Sequence, residues 1–574
     1  MPARFLSLLA MLVCMACASQ PSMQDGEFEA ISKEYVEEFL VMNPEWATLL
    51  GDHRFDDRLG DYSEAGIAAS LEMEKRYLAR LDALDPLRLS TLNATDYAIL
   101  RNRIEESIFS AEVLREYERN PLLYNVGGSI YGLLARDFAP EEERLRHLAG
   151  RLQAIPEVLA AARANLVNPP RVHTETAILQ NPGTISLVRD ELEAILIPYP
   201  GLKAEMQPAR DTAIAALEDY GEWLETDLLP RSNGDFRLGE EKFRRKLALT
   251  LHSDLSMEEI LSRAEARLAE TQEALYETAL PLYRSAHPNA SDAQLADKKS
   301  VIRDILGRLA EDRPTDATIV DDAREALAET TRFVGDKALM GLPAEPVEII
   351  VMPEFQRGVS TAYCDSPGPL EKNAKTFYAI APTPQDWSAE RTESLYREYN
   401  DYMLRDLTVH EAMPGHYLQL AHSNKFVAPT LTRHIFYSGP FVEGWAVYAE
   451  QLMAEHGYGG PQVKVQQLKM YARAVINAIL DQKIHAGSMT EQEAMDLMMT
   501  EGFQEDGEAA GKWRRARLTS TQLSSYFVGN EEVWEIRKAW EKKNGPITDW
   551  QTFHDAVLSR GSPPAKFIRA ELGL

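Results

Sequence analysis

Apolar residues recur at three- and four-residue intervals through most of the N-terminal half of the chain, the spacing that lines one face of an α-helix. The pattern predicts helices over Ile31 to Val41, Ile67 to Leu84, Thr95 to Ala111, Glu141 to Asn168, Pro208 to Asp227 and Met257 to Ala286. Breakers separate them at Asn168-Pro169-Pro170, Pro198-Tyr199-Pro200-Gly201 and Arg231-Ser232-Asn233-Gly234. The period then changes. Val347 to Met352 and Thr376 to Ala381 are short β-branched or aromatic runs flanked by Pro and Gly, and they predict strands of a small sheet. Helical spacing resumes over Leu404 to Asn424, His434 to His456, Val463 to His485, Thr490 to Met499 and Ala509 to Val528. The expected architecture is mainly α, a helical N-terminal lobe over 28–330 followed by a lobe over 331–574, the two sharing one core.

Composition adds bounds. A chain of 574 residues, 45% hydrophobic and 26% charged, is long enough to bury a large core. A net charge of -28 argues against nucleic acid or an anionic membrane surface as partner, because both would repel it. The N-terminus carries a targeting pattern: Arg4, the apolar run Phe5 to Val13, then Ala16, Cys17, Ala18 and Ser19. That run is too short for an ordinary transmembrane helix. Ala16-Cys17-Ala18 fits a cleavage site, whereas Met15-Ala16-Cys17 resembles the end of a bacterial lipobox with Cys17 as the lipidated residue, although Cys14 stands where such a motif carries an aliphatic residue. The lipoprotein reading is favoured, with residues 1–18 as signal and 19–27 as a tether. It implies a protein exported to the cell envelope, periplasmic and lipid-anchored. Cys364 is then the one cysteine outside the signal, so no disulfide framework forms. A lone cysteine of this kind is expected to be a small buried hydrophobe in a loop unrelated to the chemistry.

The chemistry concentrates in His410-Glu411-Ala412-Met413-Pro414-Gly415-His416. In the H-E-x-x-H zinc motif the histidines are four apart and share a helical face. Here they are six apart, which on a straight helix separates them by roughly 120° and about 9 Å along the axis. Pro414-Gly415 supplies the remedy, because proline removes a donor and clashes with the carbonyl four residues back. The spacing therefore predicts a helix broken at Pro414-Gly415, so that His416 swings back toward His410. A catalytic zinc takes three protein ligands and keeps one open position. Glu443, in Phe441-Val442-Glu443-Gly444-Trp445-Ala446-Val447-Tyr448-Ala449-Glu450, is the candidate third ligand. A downstream glutamate on a second, antiparallel helix is the arrangement of gluzincin metallopeptidases. Glu450, two turns on, is placed to orient a ligand imidazole. Glu411 is the candidate general base, and Tyr526 the candidate donor to the polarised carbonyl oxygen. His422, His434 and His485 are read as structural. Two imidazoles and a carboxylate suit Zn2+, and other divalent transition metals as well.

At these residues the chain resembles the bacterial DUF885 family, whose hallmark is similar to H-E-A-x-P-G-H, then Q, then E-G-W-A-x-Y-x-E; here these are His410 to His416, Gln419, and Glu443 to Glu450. Further likeness runs through Pro44 to His53, Asp61-Tyr62-Ser63, Asn168-Pro169-Pro170 and Thr176-Ala177-Ile178. The resemblance implies a mostly helical, zincin-like (gluzincin-type) fold with a metal site and peptidase-type hydrolysis. It matches His410, Glu411, His416 and Glu443 to the family's ligands and base. Tyr526 and Gly529 match a C-terminal block resembling P-G-Q-A-x-x-Y-x-x-G, but Ser520-Thr521 replaces its Pro-Gly and Leu523 its small residue. Arg515 falls where that block has an arginine, without the tyrosine that usually follows.

The leading expectation is an exported zinc metallopeptidase acting on a peptide or peptide-like substrate. Two alternatives stand beside it: a metal-dependent amidase or esterase on a non-peptide envelope substrate, and a non-catalytic lipid-anchored binding protein.

Overall fold

Residues 256–286 illustrate how local sequence becomes structure in this chain. Ser256 and Glu259 close a capping box, each side chain bonded to the other's backbone N–H. The helix Met257–Ala286 follows, and Ile260, Ala264, Leu268, Thr271, Leu275 and Ala279 form its buried stripe. That stripe packs against the helix Gly460–His485. The computed structural model describes residues 23–352, 361–371, 375–384 and 387–574. The signal at 1–18, with Cys17, and the first part of the tether lie outside the described residues. From Met23 the chain is already helical, inside the segment read as a tether, because Phe28 and Ile31 bury one face of that helix.

The described chain is mainly helical with one three-stranded sheet. Helices Met23–Met42, Glu64–Asp82, Thr91–Phe109, Glu141–Asn165 and Pro200–Trp223 correspond to predicted segments, with ends moved by up to eight positions; the last starts at Pro200, inside the predicted breaker. The predicted strands are β1, Val347–Val351, and β3, Thr376–Ile380; between them the pattern missed the strand β2, Ala362–Asp365. The order is β1-β3-β2, with β1 parallel and β2 antiparallel to β3. Central β3 is buried at Tyr378, Ala379 and Ile380. The single helix predicted over Ala509 to Val528 is two helices, Asp506–Leu518 and Ser524–Asn544. Asp481 separates them: its carboxylate accepts from the backbone N–H groups of Thr521 and Ser524 and captures the intervening turn.

One core draws all its fully buried residues from between Tyr124 and Leu228, with Leu59 and Tyr62 packed against it. Others run across residue 330. Phe243 to Leu268 pack with Tyr471 to Val528, Leu275 to Leu309 with Val465 and Phe503, and Phe28 to Ile104 with Ile435. A buried ion network reinforces the joining: Arg433 meets Asp96 at 2.6 Å and Glu571 at 3.0 Å, tying the Thr91–Phe109 helix to the C-terminal helix Ala565–Glu571. Among the described residues no helix is long and apolar enough to cross a membrane.

Candidate metal centre

The helix Asp401–Glu411 starts on Asn400, whose side chain accepts from the N–H groups of Tyr402 and Met403. It ends at Glu411, and a new helix, His416–Ser423, starts at the second histidine. The break spans 412–415, wider than Pro414-Gly415 alone, because the residue before a proline is driven out of helical conformation as well. Ala412 and Met413 both donate to Thr408 O, and Gly415 N–H donates to Val409 O, so the chain folds back over the last helical turn. A Cβ on Gly415 would stand 1.9 Å from His410 O. Only glycine permits that approach. The two imidazoles consequently meet, with ring centroids 4.7 Å apart and planes at 84°.

Glu443 comes from the helix Gly439–Glu455, which is capped by Ser438 and has Pro440 in its first turn. This helix is locked to both neighbours. Trp445 Nε1–H donates to Pro414 O at 3.0 Å, joining the two halves of the paired motif directly. On the other side it meets Ser524–Asn544 glycine to glycine: a Cβ on Gly444 would lie 2.1 Å from the backbone of Gly529. That contact brings Tyr526 to the site, its ring centre 6.5 Å from that of His410.

One Glu443 carboxylate oxygen lies 3.6 Å from His410 Nε2 and 3.6 Å from His416 Nε2. Those separations are too long for hydrogen bonds, and the same oxygen, Oε2, is buried without a hydrogen-bond partner. Around a shared ion with bonds of about 2.1 Å, tetrahedral ligand atoms stand roughly 3.4 Å apart. The three ligand atoms all lie within 4.8 Å of one another. Two imidazole nitrogens and a carboxylate, drawn together without bonding each other, fit a divalent cation once His410 sheds its proton.

The surrounding groups set orientation and charge. His410 Nδ1–H donates to Glu450 Oε1 at 2.6 Å, leaving Nε2 to face Glu443. Burial opposes charge on His410, but the Glu443 and Glu450 carboxylates outweigh it and hold its pKa well above the usual value. Burial, with the His410 charge nearby, lowers His416 to about 4. Glu411 is pushed up to about 7 by burial and by Glu443, against the pull of His410. Glu443 is lowered, its own burial penalty outweighed by His410, His416 and Arg515. Tyr526 is raised by burial and by Glu443; Arg515 and Gln522 donate to its hydroxyl oxygen at 3.2 and 3.3 Å.

Every candidate residue from 410 to 526 thus comes to one place. Sequence reading missed two contributors. Cys364 is not in an unrelated loop: it lies on the edge strand β2, and its backbone N–H donates to Glu411 Oε2 at 3.0 Å. Cys364 is half-buried, and desolvation pushes its thiol up to about 12, so it is no nucleophile. Asp406 was also overlooked. It sits one turn before His410, and burial beside Glu450 raises its carboxyl well above the usual range. The i, i+4 spacing was a visible signal, but nothing in the spacing announces burial. His422 and His485 instead donate to backbone carbonyls, of Gly341 and Ala516, and His434 packs near Phe426.

Three comparisons bear on this arrangement. A solved structure from Shewanella oneidensis, of a candidate lipoprotein of unknown function, superposes with a TM-score of 0.80 at 32% identity, covering 95% of this chain and 100% of that one. A second candidate lipoprotein, from Colwellia psychrerythraea, gives 0.76 at 16% identity, covering 95% and 98%, a likeness of fold. A Thermus thermophilus protein named dephospho-CoA kinase is 32% identical over 132 residues, which are 22% of this chain and 64% of that protein, so this chain spans less than two thirds of its length. The family described as "Bacterial protein of unknown function (DUF885)" matches residues 44–572, and with nearly its whole length inside that match the chain belongs to the DUF885 family.

Proposed function

We propose that this protein is an exported, zinc-dependent hydrolase of the peptidase type. The observation that carries the proposal is the convergence of His410 Nε2, His416 Nε2 and the Glu443 carboxylate within 4.8 Å, with Glu411 alongside. Held by those three residues, a zinc ion would polarise a substrate carbonyl and acidify a water molecule. Glu411, poised near neutrality, accepts the proton of the attacking water and passes it to the departing amine. Tyr526 donates its hydroxyl proton to the carbonyl oxygen as negative charge builds there. In support, Arg515 and Gln522 already donate to the tyrosine oxygen, so its own proton is left for the substrate. Glu450 keeps His410 in the tautomer that turns Nε2 inward. The edge strand β2, with Cys364 N–H beside Glu411, offers backbone groups along which an extended peptide can lie. Envelope placement rests on the signal pattern and on the description of both structural relatives as candidate lipoproteins. The kinase name stays with the Thermus protein, since this sequence has no Gly-x-x-x-x-Gly-Lys-Ser/Thr phosphate loop.

Metal content of the purified protein tests the reading. The parent is expected to carry one zinc per chain, and the His410→Ala, His416→Ala double variant none. Glu411→Gln should keep the metal and lose at least about 100-fold in peptide hydrolysis. Equal zinc in parent and double variant would refute the centre.

A further inference from the structure

Beside the candidate metal centre stand basic side chains that, among the described residues, lie outside any ion pair. Lys469 pairs with Glu398 at 2.8 Å, and Arg473 pairs with Glu508. Next to these two pairs the helix Asp506–Leu518 carries Lys512 and, one turn later, Arg515. Among the described residues neither forms an ion pair. Lys512 is only 5% exposed, so its ammonium is not simply a solvated surface charge. Glu508 is the one carboxylate of this helix that attracts it, and that group is already bonded to Arg473. Arg515 is exposed, and its guanidinium reaches Gln522 Oε1 at 2.8 Å and the Tyr526 hydroxyl at 3.2 Å. The bond from Arg515 to the Tyr526 hydroxyl sets that cation at the Tyr526 side of the site, and Lys512 lies one turn before it on the same helix. Burial and the Arg473 guanidinium hold Lys512 well below the ordinary lysine pKa, so an entering anion would favour its charged form.

Keeping charge on a buried amine outside any ion pair is costly, and the cost is relieved when an anion enters. A chain with net charge -28 that keeps two basic side chains out of ion pairs here is equipped to receive one. An arginine fork with a neighbouring ammonium suits a carboxylate. An endopeptidase would pass only neutral amides through this position, leaving the charge unanswered.

We propose that Lys512 and Arg515 bind the free α-carboxylate at the C-terminus of the substrate peptide, so that the enzyme trims peptides from that end. The proposal rests on the peptidase reading given above. Its test compares three peptides with the zinc-loaded enzyme: a free acid, the same peptide as C-terminal amide, and an amide ending in Glu. The free acid should be cleaved with a kcat/KM about 10- to 100-fold above the plain amide, the scale of one or two charge-assisted hydrogen bonds. Lys512→Gln and Arg515→Gln should each collapse that ratio toward one. Should the buried Lys512 variant fail to fold, the exposed Arg515 variant carries the same test. Equal cleavage of acid and amide, or an unchanged ratio in the variants, would overturn the proposal; if Glu411→Gln still abolishes that cleavage, the peptidase reading survives it. An amide ending in Glu that matches the free acid would also overturn it, moving the bound carboxylate to a side chain. A parent that cuts none of the three while hydrolysing non-peptide amides would remove the peptidase reading and this inference together.

Discussion

Glu450 accepts the Nδ1 proton of His410 at 2.6 Å, and this one bond decides which nitrogen of the imidazole faces Glu443. Glu450→Gln keeps the shape but replaces a charged acceptor by an amide that can turn its NH2 toward the ring. Metal affinity should fall about 10- to 100-fold, the usual scale for removing such a partner, as read by competition with a chromophoric chelator; unchanged affinity would leave Glu450 a mere packing residue. Acidity should act on the same centre. Metal entry requires His410 to shed a proton that the Glu443 and Glu450 carboxylates help it retain, so affinity is expected to fall steadily as pH drops. These roles were legible because the residue types stand at readable spacings. Asp406 was not, since its significance lies in burial beside Glu450, which spacing does not reveal.

Among the elements, glycines decide how closely helices meet. Gly439–Glu455 and Ser524–Asn544 touch through Gly444 and Gly529, where an added Cβ would come within 2.1 Å of backbone atoms. Gly444→Ala should therefore cost about 2–4 kcal/mol in chemical unfolding. It should also separate Tyr526 from the histidines, so activity should fall further than metal content does. A stability within roughly 0.5 kcal/mol of the parent, the scatter for neutral surface changes, would refute the close packing. Sequence periodicity found many of the long helices but did not mark others, such as Arg171–Ser186 and Ile319–Asp336, and it misjudged some joints for identifiable reasons. The helix written across Ala509 to Val528 is broken because Asp481, from a distant helix, captures the N–H groups of Thr521 and Ser524. Strand β2 escaped notice because four residues, Ala362–Asp365, are too few to display an alternation.

At the scale of the molecule, acid should loosen the fold through buried neutral histidines. His554 accepts from the Tyr448 hydroxyl at Nε2 and donates from Nδ1 to Leu339 O, and burial lowers its pKa to about 3. The unfolded chain takes up this proton near pH 6.5 while the folded chain refuses it. Stability is therefore present above pH 6.5 and is lost as pH falls toward the folded value, by about 2 kcal/mol between pH 7 and 5 for this group alone. His554→Gln should show a correspondingly smaller loss in urea midpoints over that range; an identical pH slope would contradict the assignment. The helical class, the heptad with its obligatory break, and the glutamates on the following helix were determined by the sequence itself, because periodicity and spacing are local properties of the chain. Tertiary structure alone decided that Cys364 N–H meets Glu411, that Trp445 clasps Pro414, and that Arg515 reaches the Tyr526 hydroxyl. Such contacts join residues tens of positions apart or depend on which charges are buried together, and only packing brings them within reach.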